Sequence, residues 1–138
     1  MLKTLLIIAT VGMSMSVAPA LADGGCIPPE ASSGLTGDVD AGKKIFRKCK
    51  ACHTLKEGGK SAIGPNLYGV VGRNAATVDG FKYSKAMKES GLVWDEETLT
   101  GYLTKPKEFL PGNKMPFPGL KKPEQIENVI SYIIEKSK

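Results

Sequence analysis

The sequence predicts a small all-α domain, a few short helices joined by long loops. Three observations carry this. Apolar residues recur at helical spacing in separate segments, no segment shows sustained period-two alternation, and turn-forming Gly and Pro crowd the stretches between. Loops this long in so small a helical domain imply a ligand or a function that holds them.

The elements follow in order. From Asp38 to about Lys50, Gly42, Ile45, Phe46 and Cys49 fall at i, i+3, i+4 and i+7, which predicts a helix with one buried face. Asp38 and Asp40 at its start and Lys48 and Lys50 at its end suit the helix dipole. Ser84 to Ser90 reads as a short helix, capped by Ser84 and stopped by Gly91. Asp95-Glu-Glu97 opens another, with Leu99, Tyr102 and Leu103 on one face, and Pro106 breaks it. The stretch from Pro106 to Pro118 reads as loop. Pro123 starts the last helix, whose Ile126, Val129, Ile130, Ile133 and Ile134 form one stripe.

Residues 1–22 read as a cleaved secretory signal: Lys3, the apolar run Leu5 to Ala9, then Ala20-Leu-Ala22 before Asp23. Gly12, Ser14 and Ser16 leave the run too short and broken for a membrane span. Residues 23–36, rich in Gly, Pro and Ser, read as a flexible lead-in, and 37–138 as the single domain. Bacterial export to the periplasm follows from the signal. The formal charge of +5 comes from 19 basic and 14 acidic residues and falls one unit when Lys3 leaves. This mild excess is not the clustered charge of a nucleic-acid binder. It suits transient docking to acidic protein surfaces. No phosphate-cradling Gly-rich motif occurs.

Two of the three cysteines and the only histidine lie in Cys49-Lys-Ala-Cys52-His53. Zinc needs four strong ligands, and the chain offers no second pair. A thioredoxin-like dithiol belongs beside a βαβ pattern, and here the pair ends a helix in a chain without predicted strands. Covalent haem attachment fits the spacing. Two thiols add to neighbouring vinyl edges of one porphyrin from a single helical turn, and the next residue is left under the ring, its imidazole on iron. Cys26 is the odd thiol. A lipid anchor there wants an aliphatic residue three positions earlier, where Asp23 stands, so Cys26 reads as a free thiol on the lead-in, with intermolecular pairing open to it in an oxidising compartment.

The second axial position decides the chemistry: an open one gives ligand sensing or peroxide chemistry, and a thioether favours electron transfer. Met1, Met13 and Met15 leave with the signal. Met87 lies by a short surface-like helix and reads as packing. Met115, in the proline-stiffened Pro111-Gly-Asn-Lys-Met-Pro-Phe-Pro118, is the expected ligand.

With these residues in place, the chain from Gly37 to Ile134 resembles a class I cytochrome c of the soluble bacterial, mitochondrial-like type. The matching stretches are GDVDAGKKIF, CKACHTL, GPNLYGVVGR, GFKYSKAM, Trp94, EETLTGYLTKPKEFLPGNKM and VISYI. The resemblance implies the small cytochrome c fold around one covalent haem c per chain, and a monomeric periplasmic electron carrier rather than an enzyme. It implies that Gly42 and Phe46 meet Val129 and Tyr132 where the first helix crosses the last. Pro65 would orient His53 through its carbonyl, Arg73, Tyr83 and Trp94 would surround the haem propionates, and Tyr102 would lie near the methionine sulfur. Met87 and Asn113 depart from the mitochondrial pattern of asparagine and threonine. Lys44, Lys48, Lys107, Lys114, Lys121 and Lys122 match lysines that ring the haem edge. Implied partners are acidic redox proteins: a cytochrome bc-type complex, a terminal oxidase, a photosynthetic reaction centre or a periplasmic dehydrogenase. The competing expectation is a haem enzyme or a gas or peroxide sensor with a displaceable Met115.

Overall fold

The computed structural model describes residues 36–138. The signal read at 1–22, Cys26, and all of the lead-in except Thr36 lie outside the described residues. Five helices form: α1 (Val39–Phe46), α2 (Lys85–Glu89), α3 (Glu96–Thr104), α4 (Pro106–Phe109) and α5 (Pro123–Lys136). Among the described residues there is no strand, only an isolated bridge between Asn74 and Val93.

Helix α1 is shorter than its periodicity predicts. Asp38 caps it, its carboxylate accepting from the amides of Asp40 at 2.8 Å and Ala41 at 3.0 Å. Regular helix stops at Phe46, and the chain goes on in turns: the amide of Cys49 donates to Phe46 O at 2.8 Å and that of His53 to Cys49 O at 2.9 Å. The apolar period therefore persists through Cys49 without an α-helix there.

The crossing of α1 and α5 is set by Gly42. A Cβ there would lie 2.7 Å from the Asn128 carbonyl carbon and 2.8 Å from Tyr132 Cβ, so only glycine lets the backbones approach. Phe46 then packs on Tyr132, ring centroids 5.3 Å apart. Val129, buried on α5, lines the central cavity, and it is Asn128 whose backbone meets Gly42. Asn128 also accepts the Asp38 amide at 2.7 Å, tying the start of α1 to α5. Thr36 reaches the same helix through Glu127.

Ser84 caps α2 as expected, accepting the Met87 amide at 3.1 Å, and Gly91 follows with φ 62°. Asp95 caps α3 through the Thr98 amide at 2.7 Å. Helix α4 corrects the reading of 106–118 as wholly loop. Pro106 breaks α3 yet has the φ of a first helical residue, so it also starts a new turn. On α5, Ile126, Val129, Ile130 and Ile133 are buried together with Phe46, Leu99 and Leu120. At ~1.5–3 kcal/mol for each buried aliphatic side chain, this stripe is a large share of the core.

Candidate functional site

Between α3, α5 and the loops lies a cavity of about 340 Å³. Cys49, Cys52, His53, Pro65, Arg73, Tyr83, Trp94, Tyr102 and Met115, the nine residues singled out above, all line it.

His53 is the most constrained. Its Nδ1 lies 2.8 Å from Pro65 O. A carbonyl only accepts, so Nδ1 carries the hydrogen and Nε2 keeps its lone pair. No hydrogen bond to Nε2 is made by the described residues. Burial holds the imidazole below its ordinary pKa, with the Pro65 carbonyl opposing, so the neutral form a metal needs is favoured. Gly64 is part of this arrangement. A Cβ there would lie 2.7 Å from Nδ1 and 2.8 Å from Nε2, so the ring sits where a side chain would otherwise be. The Gly64 amide donates to Cys52 O at 2.8 Å and so locks the loop to the cysteine turn.

Burial pushes the Cys49 thiol up to about 11, against Lys48, which lowers it, and with Cys52, which raises it. Such a thiol is poorly suited to act as a free thiolate in disulfide exchange.

Asn66 and Arg73 brace the loop below. Asn66 Nδ2 donates to Lys56 O at 2.8 Å and Gly59 O at 2.7 Å, and its Oδ1 accepts the Tyr68 amide at 2.9 Å. Arg73 donates to the carbonyls of Tyr68 and Asn66, both at 2.9 Å. Part of its guanidinium is thus committed to the loop while the side chain lines the cavity. Sequence reasoning missed Asn66, although an Asn after Gly-Pro is a turn signal.

Trp94 packs on Tyr102 with centroids 5.0 Å apart, and Tyr83 meets Phe81 edge-on at 4.7 Å. Burial pushes the Tyr102 phenol up to about 12. It raises that of Tyr83 as well, opposed by the Val78 backbone and the Arg73 charge.

Met115 is placed by Asn113. The Asn113 amide group donates to Pro106 O at 2.7 Å and Leu110 O at 2.8 Å, and its Oδ1 accepts the Met115 amide at 2.9 Å. The sequence marked Asn113 only as a departure; the structure makes it the clamp of the loop. Met87 packs against the core, as its reading expected, and it does more than pack. It lies within α2, is half-buried and lines the cavity.

Among the expected docking lysines, Lys48 and Lys114 line the cavity, as does Lys82. Lys44 instead borders a separate groove with Lys43, Arg47 and Lys50, floored by Phe46 and Tyr132. Lys107, Lys121 and Lys122 are exposed and line neither.

The donor set suits a flat apolar macrocycle carrying a metal. Leu67, Val70, Leu99, Leu103 and Phe117 supply apolar walls, two thiols stand within one turn, and an imidazole lone pair and a thioether share the space.

Comparison with known proteins agrees. The Cytochrome c family matches residues 39–135. The chain is 53% identical over 96 residues to cytochrome c2 iso-2 of Magnetospirillum molischianum, covering 70% of this chain and 95% of that protein. It is 48% identical over 97 residues to cytochrome c2 of Rhodoblastus acidophilus, covering 70% and 91%. Among solved structures, cytochrome cH from Methylobacterium extorquens superposes with a TM-score of 0.68 at 44% identity, covering 72% of this chain and 99% of that one.

Proposed function

The chain belongs to the cytochrome c family, and from that premise we propose that it is an exported, periplasmic one-electron carrier whose haem iron is held by His53 and Met115. Membership in the family makes the chain a haem c protein of electron transfer, with the haem bound covalently. The cysteines of the C-x-x-C-H motif, Cys49 and Cys52, would carry the two thioether links. Bound there, haem supplies an iron that exchanges one electron between its ferrous and ferric states.

The chain's own residues do the rest. Pro65 orients His53 and makes it a better donor by accepting its Nδ1–H. Asn113 and the flanking prolines hold Met115 still, so little reorganisation accompanies a change of charge. The soft thioether and the apolar walls both favour the less charged ferrous state. Arg73, Tyr83 and Trp94, which line the cavity, would offer donors to the haem propionates. Lys48 and Lys114 at the cavity, with Lys44, Lys107, Lys121 and Lys122 farther out, steer an acidic redox partner. Candidates are a cytochrome bc-type complex, a terminal oxidase, a reaction centre or a periplasmic dehydrogenase.

The observation that carries the reading is His53 Nε2, left without a partner in a cavity that also holds the Met115 thioether. Voltammetry of the haem-loaded protein tests it. A single reversible one-electron wave, unchanged by hydrogen peroxide, is expected. A catalytic current on adding peroxide would move the protein to the enzyme class.

A further inference from the structure

Two methionines, Met87 and Met115, occur among the described residues, and both line the one cavity that holds His53. They come from adjoining elements. A Cβ on Gly112, three residues before Met115, would lie 3.3 Å from Ala86 Cβ, one residue before Met87, so α2 packs against the loop that carries Met115. The Met87 backbone is pinned at both ends: its amide donates to Ser84 Oγ at 3.1 Å, and its carbonyl accepts from Ser90 Oγ at 2.9 Å. Ser84 is itself buried against the same cavity. What remains adjustable at Met87 is a flexible, unbranched thioether on a residue that lines the cavity, in a helix whose only other apolar residue is Ala86.

We propose that Met87 is a reserve sulfur ligand that closes the iron's second axial position when Met115 leaves it. This rests on the His53/Met115 reading above. The exchange would be a ligand substitution, the Met87 sulfur taking the place of the Met115 sulfur on iron with no electron or proton transferred. Both thioethers leave a fixed backbone: Asn113 accepts the Met115 amide, and Ser84 and Ser90 hold the Met87 amide and carbonyl, so two flexible sulfur side chains are presented to the same cavity.

The test uses the haem-loaded ferrous protein with its methionine methyl groups labelled with carbon-13. A methyl held over the porphyrin face is shifted far upfield by the ring current, so NMR reports which sulfur is bound. In the unaltered protein one upfield methyl is expected, from Met115. In Met115→Ala the Met87 methyl is expected to move upfield, and in Met115→Ala combined with Met87→Leu that signal is lost and carbon monoxide binds faster. Asn113→Ala loosens the loop and keeps both sulfurs, so exchange between the two methyls is expected there even if Met115→Ala does not fold. A Met87 methyl that stays at its ordinary position in both Met115→Ala and Asn113→Ala overturns the proposal. An unaltered protein with no upfield methyl at all overturns the Met115 assignment instead.

Discussion

Replacing Gly64 by alanine probes the packing on which the iron ligand depends. The new Cβ would lie 2.7 Å from His53 Nδ1 and 2.8 Å from Nε2, where ordinary contact begins near 3.5 Å. Gly64 is buried and its amide is bonded to Cys52 O, so the backbone cannot easily yield and the ring must retreat by roughly 0.7 Å. The Nδ1 contact with Pro65 O, now 2.8 Å, then reaches the edge of hydrogen bonding. Overpacking costs about 1–3 kcal/mol and losing the part-buried Pro65 hydrogen bond about 1 kcal/mol, for a loss of roughly 2–4 kcal/mol. For a domain of this size that lowers the melting temperature by on the order of 10–30 °C. Urea unfolding of the haem-loaded variant reads the stability, and the visible spectrum of the same sample reads the ligation. A loss below ~1 kcal/mol with an unchanged spectrum would refute the argument that the ring fills the space of a missing side chain.

Ser131 on α5 is buried, and its hydroxyl has no partner among the described residues. Ser131→Ala is expected to raise stability by about 1 kcal/mol in urea unfolding, and a loss of that size would reveal a hidden partner. Tyr102 ionises near 10.0 when unfolded but is pushed up to about 12 in the fold. The folded state therefore keeps a proton that the unfolded chain gives up, and stability should fall as pH rises from about 10 to about 12. Tyr102→Phe should flatten that decline in alkaline unfolding curves. Lys48→Glu and Lys114→Glu should slow electron transfer to a purified terminal oxidase several-fold at low ionic strength, and should weaken its salt dependence. An unchanged rate and salt slope would remove these lysines from the docking face.

Much of this was legible in the sequence because the signals were local. The cap residues Ser84 and Asp95 announced their helices, and the α5 stripe announced the core. The cysteine–histidine motif announced the cofactor. What escaped depended on turns and hydrogen bonds that no periodicity announces. Helix α4 was hidden because Pro106 reads as a breaker, although its geometry also starts a helix. Periodicity alone gave no reason for Gly42; the resemblance put it at the helix crossing with Val129 and Tyr132, and the structure sets Asn128 and Tyr132 against it. The end of α1 was overrun because the chain continues past Phe46 in turns that keep the apolar period, the amides of Cys49 and Lys50 both donating to Phe46 O. Asn66 and Asn113 looked like ordinary loop residues, and only their three-way hydrogen bonding marks them as braces of the two site loops. Met87 was set aside for its surface-like surroundings, which say nothing of the direction its side chain takes.

The central claim is that His53 and Met115 together close the iron. Absorption spectra of the purified haem-loaded protein, ferric and ferrous, followed by carbon monoxide added to the ferrous form, test it most directly. A weak red sulfur-to-iron charge-transfer band is expected in the ferric protein, with sharp low-spin ferrous bands and no ready reaction with carbon monoxide at neutral pH. Absence of the red band together with rapid carbon monoxide binding would contradict it.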